Sequence, residues 1–143
     1  MTGDLLLRAK LKVVAKSNNN TWEDLDFIVD PGAEITTMPA FRARQLDLPM
    51  PRTAALGVVH DPTGLEIRSG YLRLRVVGMD QTEYAIPCFF LGDPAAAPPT
   101  TGVPASATKN LLGLGGVVDK LRLTFDGDAG PGAAHGHLSV EKR

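Results

Sequence analysis

The sequence predicts an all-β domain, and three observations carry this prediction. Apolar and polar residues alternate along several stretches, which is typical of strands that have one solvated face. Fifteen glycines and eleven prolines suit short strands joined by tight turns. The length of 143 residues matches one domain and is sufficient to bury a hydrophobic core.

Composition and charge argue against several classes of function. The net charge of −1 gives no attraction to nucleic acid or to an anionic membrane. No window approaches the roughly 20 apolar residues of a membrane helix, and the first residues lack the basic and apolar regions of a secretory signal. Cys88 is the single cysteine, so no intrachain disulfide can form. These features predict a cytoplasmic protein without nucleic-acid or membrane partners, and no pattern requires a cofactor.

The chain begins with two predicted strands joined by a turn. Residues 5–14 alternate between apolar and mostly basic positions, which predicts a strand with one buried face. Asparagines at 18–20 indicate a turn, because Asn tolerates left-handed backbone angles. Residues 22–29 then form a second strand that leads directly into Asp30.

Asp30 is the first candidate functional residue. An apolar strand delivers its carboxylate into a Pro-Gly turn, and the β-branched run 35–37 carries the chain away. Burying an unpaired charge is costly, so a carboxylate between two apolar strands is usually paired or used.

A short helix and a long hairpin are predicted next. Pro39 suits the first position of a helix, and residues 40–46 have helical composition, with Phe41 and Leu46 expected to face the core. The segments 53–60 and 65–77 are predicted as the two strands of a hairpin. Asp61-Pro62-Thr63-Gly64 fits a type I turn at its tip.

The second half is predicted to hold further strands separated by loops. Residues 82–91 alternate as a strand in which Cys88 is a buried structural thiol. The segment 92–108 is rich in Pro and Ala and is predicted as a surface loop. After the stretch 110–126, the tail is Gly-rich with a possible final strand at 137–140. Its two histidines lack other ligands, so no metal site is predicted there.

Two of these stretches together resemble the retropepsin-like, single-domain aspartic proteases. The first is Asp30-Pro31-Gly32-Ala33-Glu34 between apolar strands, where the family carries Asp-Thr/Ser-Gly. The second is Leu111-Leu112-Gly113 followed by a strand ending in Leu-Thr-Phe-Asp at 123–126. The resemblance spans roughly residues 5–126 and implies a closed β-barrel with one or two short helices. The protease domain would then be 1–126, with 92–108 as a surface insertion and 127–143 as a flexible tail.

The resemblance implies an aspartic endopeptidase with Asp30 as its catalytic residue. Such catalysis needs two carboxylates that share a proton, and the chain has one Asp-x-Gly element between apolar strands and no internal repeat. The second carboxylate would therefore come from a symmetric homodimer. The substrate would be a peptide or protein held under a flap. The implied flap residues are Val59, His60, Asp61, Pro62, Thr63 and Gly64, and the residues implied to brace the active-site loop are Leu111, Leu112 and Gly113.

Two departures from the family pattern keep other interpretations open. Pro31 has neither a hydroxyl nor an N–H to donate. Leu114 stands where many members carry an Arg that would pair with the acidic residue, here Glu34. One alternative is a catalytically inactive retropepsin-like module that dimerises or binds peptides. Another is an unrelated small β-barrel whose Asp30 caps a turn. Fold by itself does not decide between these functions.

Overall fold

The computed structural model describes residues 9–51, 66–95, 109–126 and 137–143. This part of the chain contains eight strands and one helix, and the predicted all-β class is confirmed. In order they are β1 (Lys10–Lys16), β2 (Trp22–Val29), β3 (Thr36–Pro39), α1 (Ala40–Gln45), β4 (Ile67–Val76), β5 (Tyr84–Leu91), β6 (Leu111–Leu112), β7 (Leu121–Asp126) and β8 (His137–Lys142).

Six strands pair in a closed ring in the order β1-β2-β6-β3-β5-β4. The short β6 lies between β2 and β3, parallel to β2 and antiparallel to β3. Its contact with β3 consists of the single pair Thr37 and Leu111. The loop that carries Asp30 therefore connects the two strands that flank β6.

The interior of the ring is filled by alternate residues of these strands. On β1 the side chains of Leu11 and Val13 are buried while those of Lys10 and Lys12 are exposed, as the alternation predicts. The largest fully buried side chains are Phe27, Phe90, Met38, Leu72, Leu74, Ile86, Leu112 and Leu121. Each contributes about 1.5–3 kcal/mol by leaving water, so the strands that hold the Asp30 loop are anchored by the core.

The helix differs from its prediction in position and in buried face. Pro39 has the extended angles φ −62 and ψ 133 and ends β3, so α1 begins at Ala40. The fully buried helical residues are Ala40 and Ala43. The prediction for Phe41 was wrong, because its side chain is half-buried and outside the core cluster, whereas Leu46 packs at the cluster's edge. A helix of six residues makes fewer than two turns, so its attachment to β3 decides which face is buried.

Strands β7 and β8 form a separate antiparallel sheet. Leu121, at the start of β7, is buried in the core. The Lys142 ammonium donates to Thr82 Oγ1 at 3.1 Å and lies 3.5 Å from Asp80 Oδ2, which ties β8 to the turn between β4 and β5. The segment 137–140, predicted as a possible final strand, lies within β8.

Several predicted features lie outside the described residues. They are the start of the first strand at 5–8, the hairpin strand at 53–60, the flap tip at 59–64, most of the Pro/Ala-rich loop, and residues 127–136. Within the described segments, no helix has the length and apolar character needed to cross a membrane.

Candidate active site

Asp30 lies at the end of β2 in a tight turn. Its backbone N–H donates to the Leu112 carbonyl at 2.9 Å, which extends the β2–β6 pairing by one residue. Its side-chain Oδ1 accepts the Gly32 N–H at 3.0 Å, and its carbonyl accepts the Ala33 N–H at 3.1 Å. The half-buried carboxylate is therefore held by the backbone of its own turn.

The loop after Asp30 is bonded to the chain that follows β6. Ala33 and Glu34 accept through their carbonyls from the N–H groups of Leu114 at 3.0 Å and Gly115 at 2.6 Å. The Gly113 N–H donates to the buried Thr36 Oγ1 at 3.1 Å. Hydrogen bonds of this kind each contribute about 1 kcal/mol net, and together they fix the loop at successive positions.

Two glycines allow this close approach between the loop and its neighbour. A Cβ on Gly113 would lie 2.6 Å from the Ile35 carbonyl oxygen and closer still to its carbonyl carbon. A Cβ on Gly115 would overlap the Glu34 carbonyl oxygen. Because the obstructing atoms are backbone, a side chain at either position would displace the loop.

The three residues predicted to brace the loop each make a different contact. Leu111 pairs with Ile28 on β2 and with Thr37 on β3. Leu112 supplies the carbonyl that receives the Asp30 N–H, and Gly113 supplies the close contact. Thr36 and Gly115 also hold the loop and were not predicted from the sequence. Two sequence features could have indicated them. One is a Thr hydroxyl within a β-branched run, and the other is a set of glycines at positions where no turn is predicted.

The remaining residues of the predicted loop are largely exposed. Pro31, Gly32 and Glu34 are exposed and Ala33 is half-buried. Glu34 forms no ion pair with any described residue. Leu114, which stands in the expected place of an Arg, contributes its backbone N–H to Ala33 instead.

Cys88 does not belong to the site. Its side chain is fully buried on β5, as predicted for a structural thiol. Burial raises the pKa of the Cys88 thiol well above its usual range. Within the four described segments, no three His, Cys, Asp or Glu side chains are grouped to hold a metal ion.

Native Cys88 is therefore expected to resist thiol reagents at alkaline pH. The thiolate is the reactive form, and a raised pKa keeps it scarce while burial excludes the reagent. Absorbance of a chromogenic disulfide reagent should show slow labelling of folded protein and complete labelling in denaturant. Rapid labelling of the folded protein would mean that β5 opens readily.

Comparison with protein-family models and with curated proteins gives no match. A similar solved structure is the EIAV protease complexed with the inhibitor HBY-793. The two chains are 16% identical, the TM-score is 0.45, and the match covers 79% of this chain and 88% of that chain. The all-β class follows from the strand pairings of this chain itself.

Proposed function

We propose that this chain is an aspartic endopeptidase that acts as a symmetric homodimer. The observation that carries the proposal is the turn in which Asp30 is bonded through its main chain to β6 and through its carboxylate to Gly32. A reacting group held by backbone bonds keeps its position without relying on flexible side chains. Such fixed placement is what proton transfer to a bound substrate requires.

The proposed chemistry uses one Asp30 from each subunit. Two adjacent carboxylates share a proton because both cannot ionise at close range. The ionised member takes a proton from a water molecule, whose oxygen attacks the scissile carbonyl carbon. The protonated member donates its proton to the carbonyl oxygen. Collapse of the tetrahedral intermediate breaks the C–N bond. The dyad returns one proton to the leaving amine and takes one from a hydroxyl of the intermediate, which becomes the product carboxyl group and restores the shared proton.

The homodimer supplies the second carboxylate in this proposal. The sequence has one Asp-x-Gly turn between apolar strands, at 30–32, so a two-fold axis through that turn is the simplest source of a dyad. Pro31, Gly32 and Glu34 are exposed around Asp30 and would meet their own copies at such a contact. The substrate would be an extended peptide, covered by the segment 59–64, which is predicted from the sequence to act as the flap.

The proposal is tested by peptide cleavage with the purified chain. A diverse peptide mixture would be incubated from acid to neutral pH, and products would be identified by mass spectrometry across size-exclusion fractions. Cleavage that follows the dimer fraction is the expected result. A folded dimer that yields no products at any pH would contradict the peptidase.

A catalytically inactive dimerisation or peptide-binding module is the second candidate. The observation that favours it is Pro31, which is exposed at the turn and offers no hydrogen-bond donor to a partner. Leu114 adds no charge to pair with Glu34. This candidate predicts a dimer without cleavage, which the same experiment detects.

Pro31→Thr is expected to strengthen dimerisation. A Thr at this position adds a hydroxyl and an N–H on each side of the two-fold axis, and a net gain of about 1.4 kcal/mol would lower the dimer Kd about tenfold. Sedimentation equilibrium of the variant and the parent chain measures this change. Pro94→Thr, in a turn after β5, serves as the control and should leave the Kd unchanged. An unaltered Kd for Pro31→Thr would contradict the role given to Pro31.

A further inference from the structure

A cavity of about 330 Å³ lies beside β2 and carries an excess of positive charge. Its lining includes Lys10, Asp26, Ile28, Arg42, Lys109 and Asn110. These residues come from β1, β2, α1 and the segment before β6, so the cavity exists only in the folded barrel. Its volume lies at the lower end of the range for small-ligand sites.

The cavity opens on the same face of β2 as the Asp30 side chain. Phe27 and Val29 point into the core, so Ile28 points outward. The N–H groups of Ile28 and Asp30 both donate to the segment across from β2, to the carbonyls of Asn110 and Leu112, each at 2.9 Å. Residues two apart on one ladder share a face and lie roughly 7 Å apart. The cavity is therefore a near neighbour of the carboxylate.

The charged groups of the cavity are one carboxylate, that of Asp26, and three cations, those of Lys10, Arg42 and Lys109. None of the three cations forms an ion pair with another described residue. Each is exposed at the cavity's wall, and an unpaired cation favours an incoming anion.

Two polar contacts hold the wall of the cavity. The Asn110 side-chain Nδ2 donates to the Asp26 carbonyl at 3.1 Å and fixes the segment before β6 against β2. The Arg42 guanidinium donates to Gln45 Oε1 at 3.2 Å and lies 5.5 Å from the centre of the Phe41 ring. The first contact fixes the segment that carries Lys109, and the second involves Arg42 on α1, so cations from two separate elements line the same cavity.

We infer that this cavity is a subsite for an acidic side chain of a bound peptide. An extended peptide advances about 3.3 Å per residue, so a side chain about 7 Å from the scissile bond belongs to the second residue on one side of it. The assignment of a scissile bond rests on the proposed peptidase function. The preference for an acidic peptide rests on the cavity alone.

Binding measured with an Asp30→Asn chain tests the inference without cleavage. Fluorescein-labelled octapeptides would carry a central Leu-Phe pair, with either Glu or Gln placed two residues before or after it. Fluorescence anisotropy is expected to show about fivefold tighter binding of one Glu peptide than of its Gln counterpart. The difference should shrink as salt concentration rises.

Charge-reversal variants identify the cations that cause the tighter binding of the Glu peptide. Arg42→Glu and Lys109→Glu, made in the same background, are expected to remove the preference for Glu. Arg44→Glu is the matched control, because it lies on the same helix, is exposed, does not line the cavity, and changes the net charge equally. It should retain the preference.

The outcomes separate this inference from the proposed function. Equal binding of Glu and Gln peptides, equal loss in all three variants, or no binding of any peptide overturns the inference. Cleavage by the parent chain without a Glu preference likewise overturns it and leaves the peptidase standing. Selective binding of a Glu peptide without any cleavage supports the subsite and contradicts the peptidase.

Discussion

Replacing Asp30 with Asn is expected to abolish peptide cleavage while preserving the fold. An amide still offers an Oδ1 to the Gly32 N–H, and the main-chain bond from residue 30 to Leu112 does not involve the side chain. The amide cannot accept or share the proton on which the dyad depends. General acid–base catalysis contributes about 10²–10⁴-fold to rate, so residual turnover should fall by at least this factor.

Product formation measured by mass spectrometry gives the rates, and circular dichroism and sedimentation report on fold and assembly. Asp24→Asn is the matched control. Asp24 lies on the same strand, is exposed, and loses the same charge without touching the loop. Its variant should cleave at the rate of the parent. Cleavage by Asp30→Asn would show that Asp30 is not the catalytic residue.

Replacing Gly113 with Ala is expected to lower the free energy of unfolding more than any other substitution described for this chain. The added Cβ meets the backbone carbonyl of Ile35, which cannot rotate away as a flexible side chain could. The clash with the Ile35 backbone is removed only if the segment after β6 moves away from the loop. This movement would weaken the bond between Gly113 and Thr36 and the neighbouring bond that places Asp30. Forcing added atoms into such a contact costs about 3 kcal/mol, and activity should fall with it.

Denaturant unfolding followed by circular dichroism measures the free energy of unfolding of this variant. Gly78→Ala is the control, because Gly78 has open space around it but a positive φ of 87. The control should lose about 1 kcal/mol from backbone strain alone. A Gly113→Ala variant no less stable than the control would mean that the loop can yield at this contact.

Much of the fold could be predicted because the relevant signals are local. Alternation along β1 and β5 reports directly which residues are buried, since successive side chains of a strand point to opposite faces. The turn at Asp30 was indicated by Pro and Gly beside a carboxylate, and the burial of Cys88 by its apolar neighbours. The helix was predicted less well, because a helix of six residues has too few positions to define a face. Phe41 was therefore misplaced.

By itself, the sequence determined the longer strands of the barrel, the turn at Asp30 and the residue on which the function is proposed to depend. Only the tertiary structure decided that β6 lies between β2 and β3, and that bonds involving Thr36 and Gly115 join the loop to the segment after β6. Only the tertiary structure brought Lys10, Arg42 and Lys109 around one cavity. The physical reason is separation along the chain. Local backbone preferences act over a few residues, whereas pairings and shared cavities arise when the core brings distant segments together.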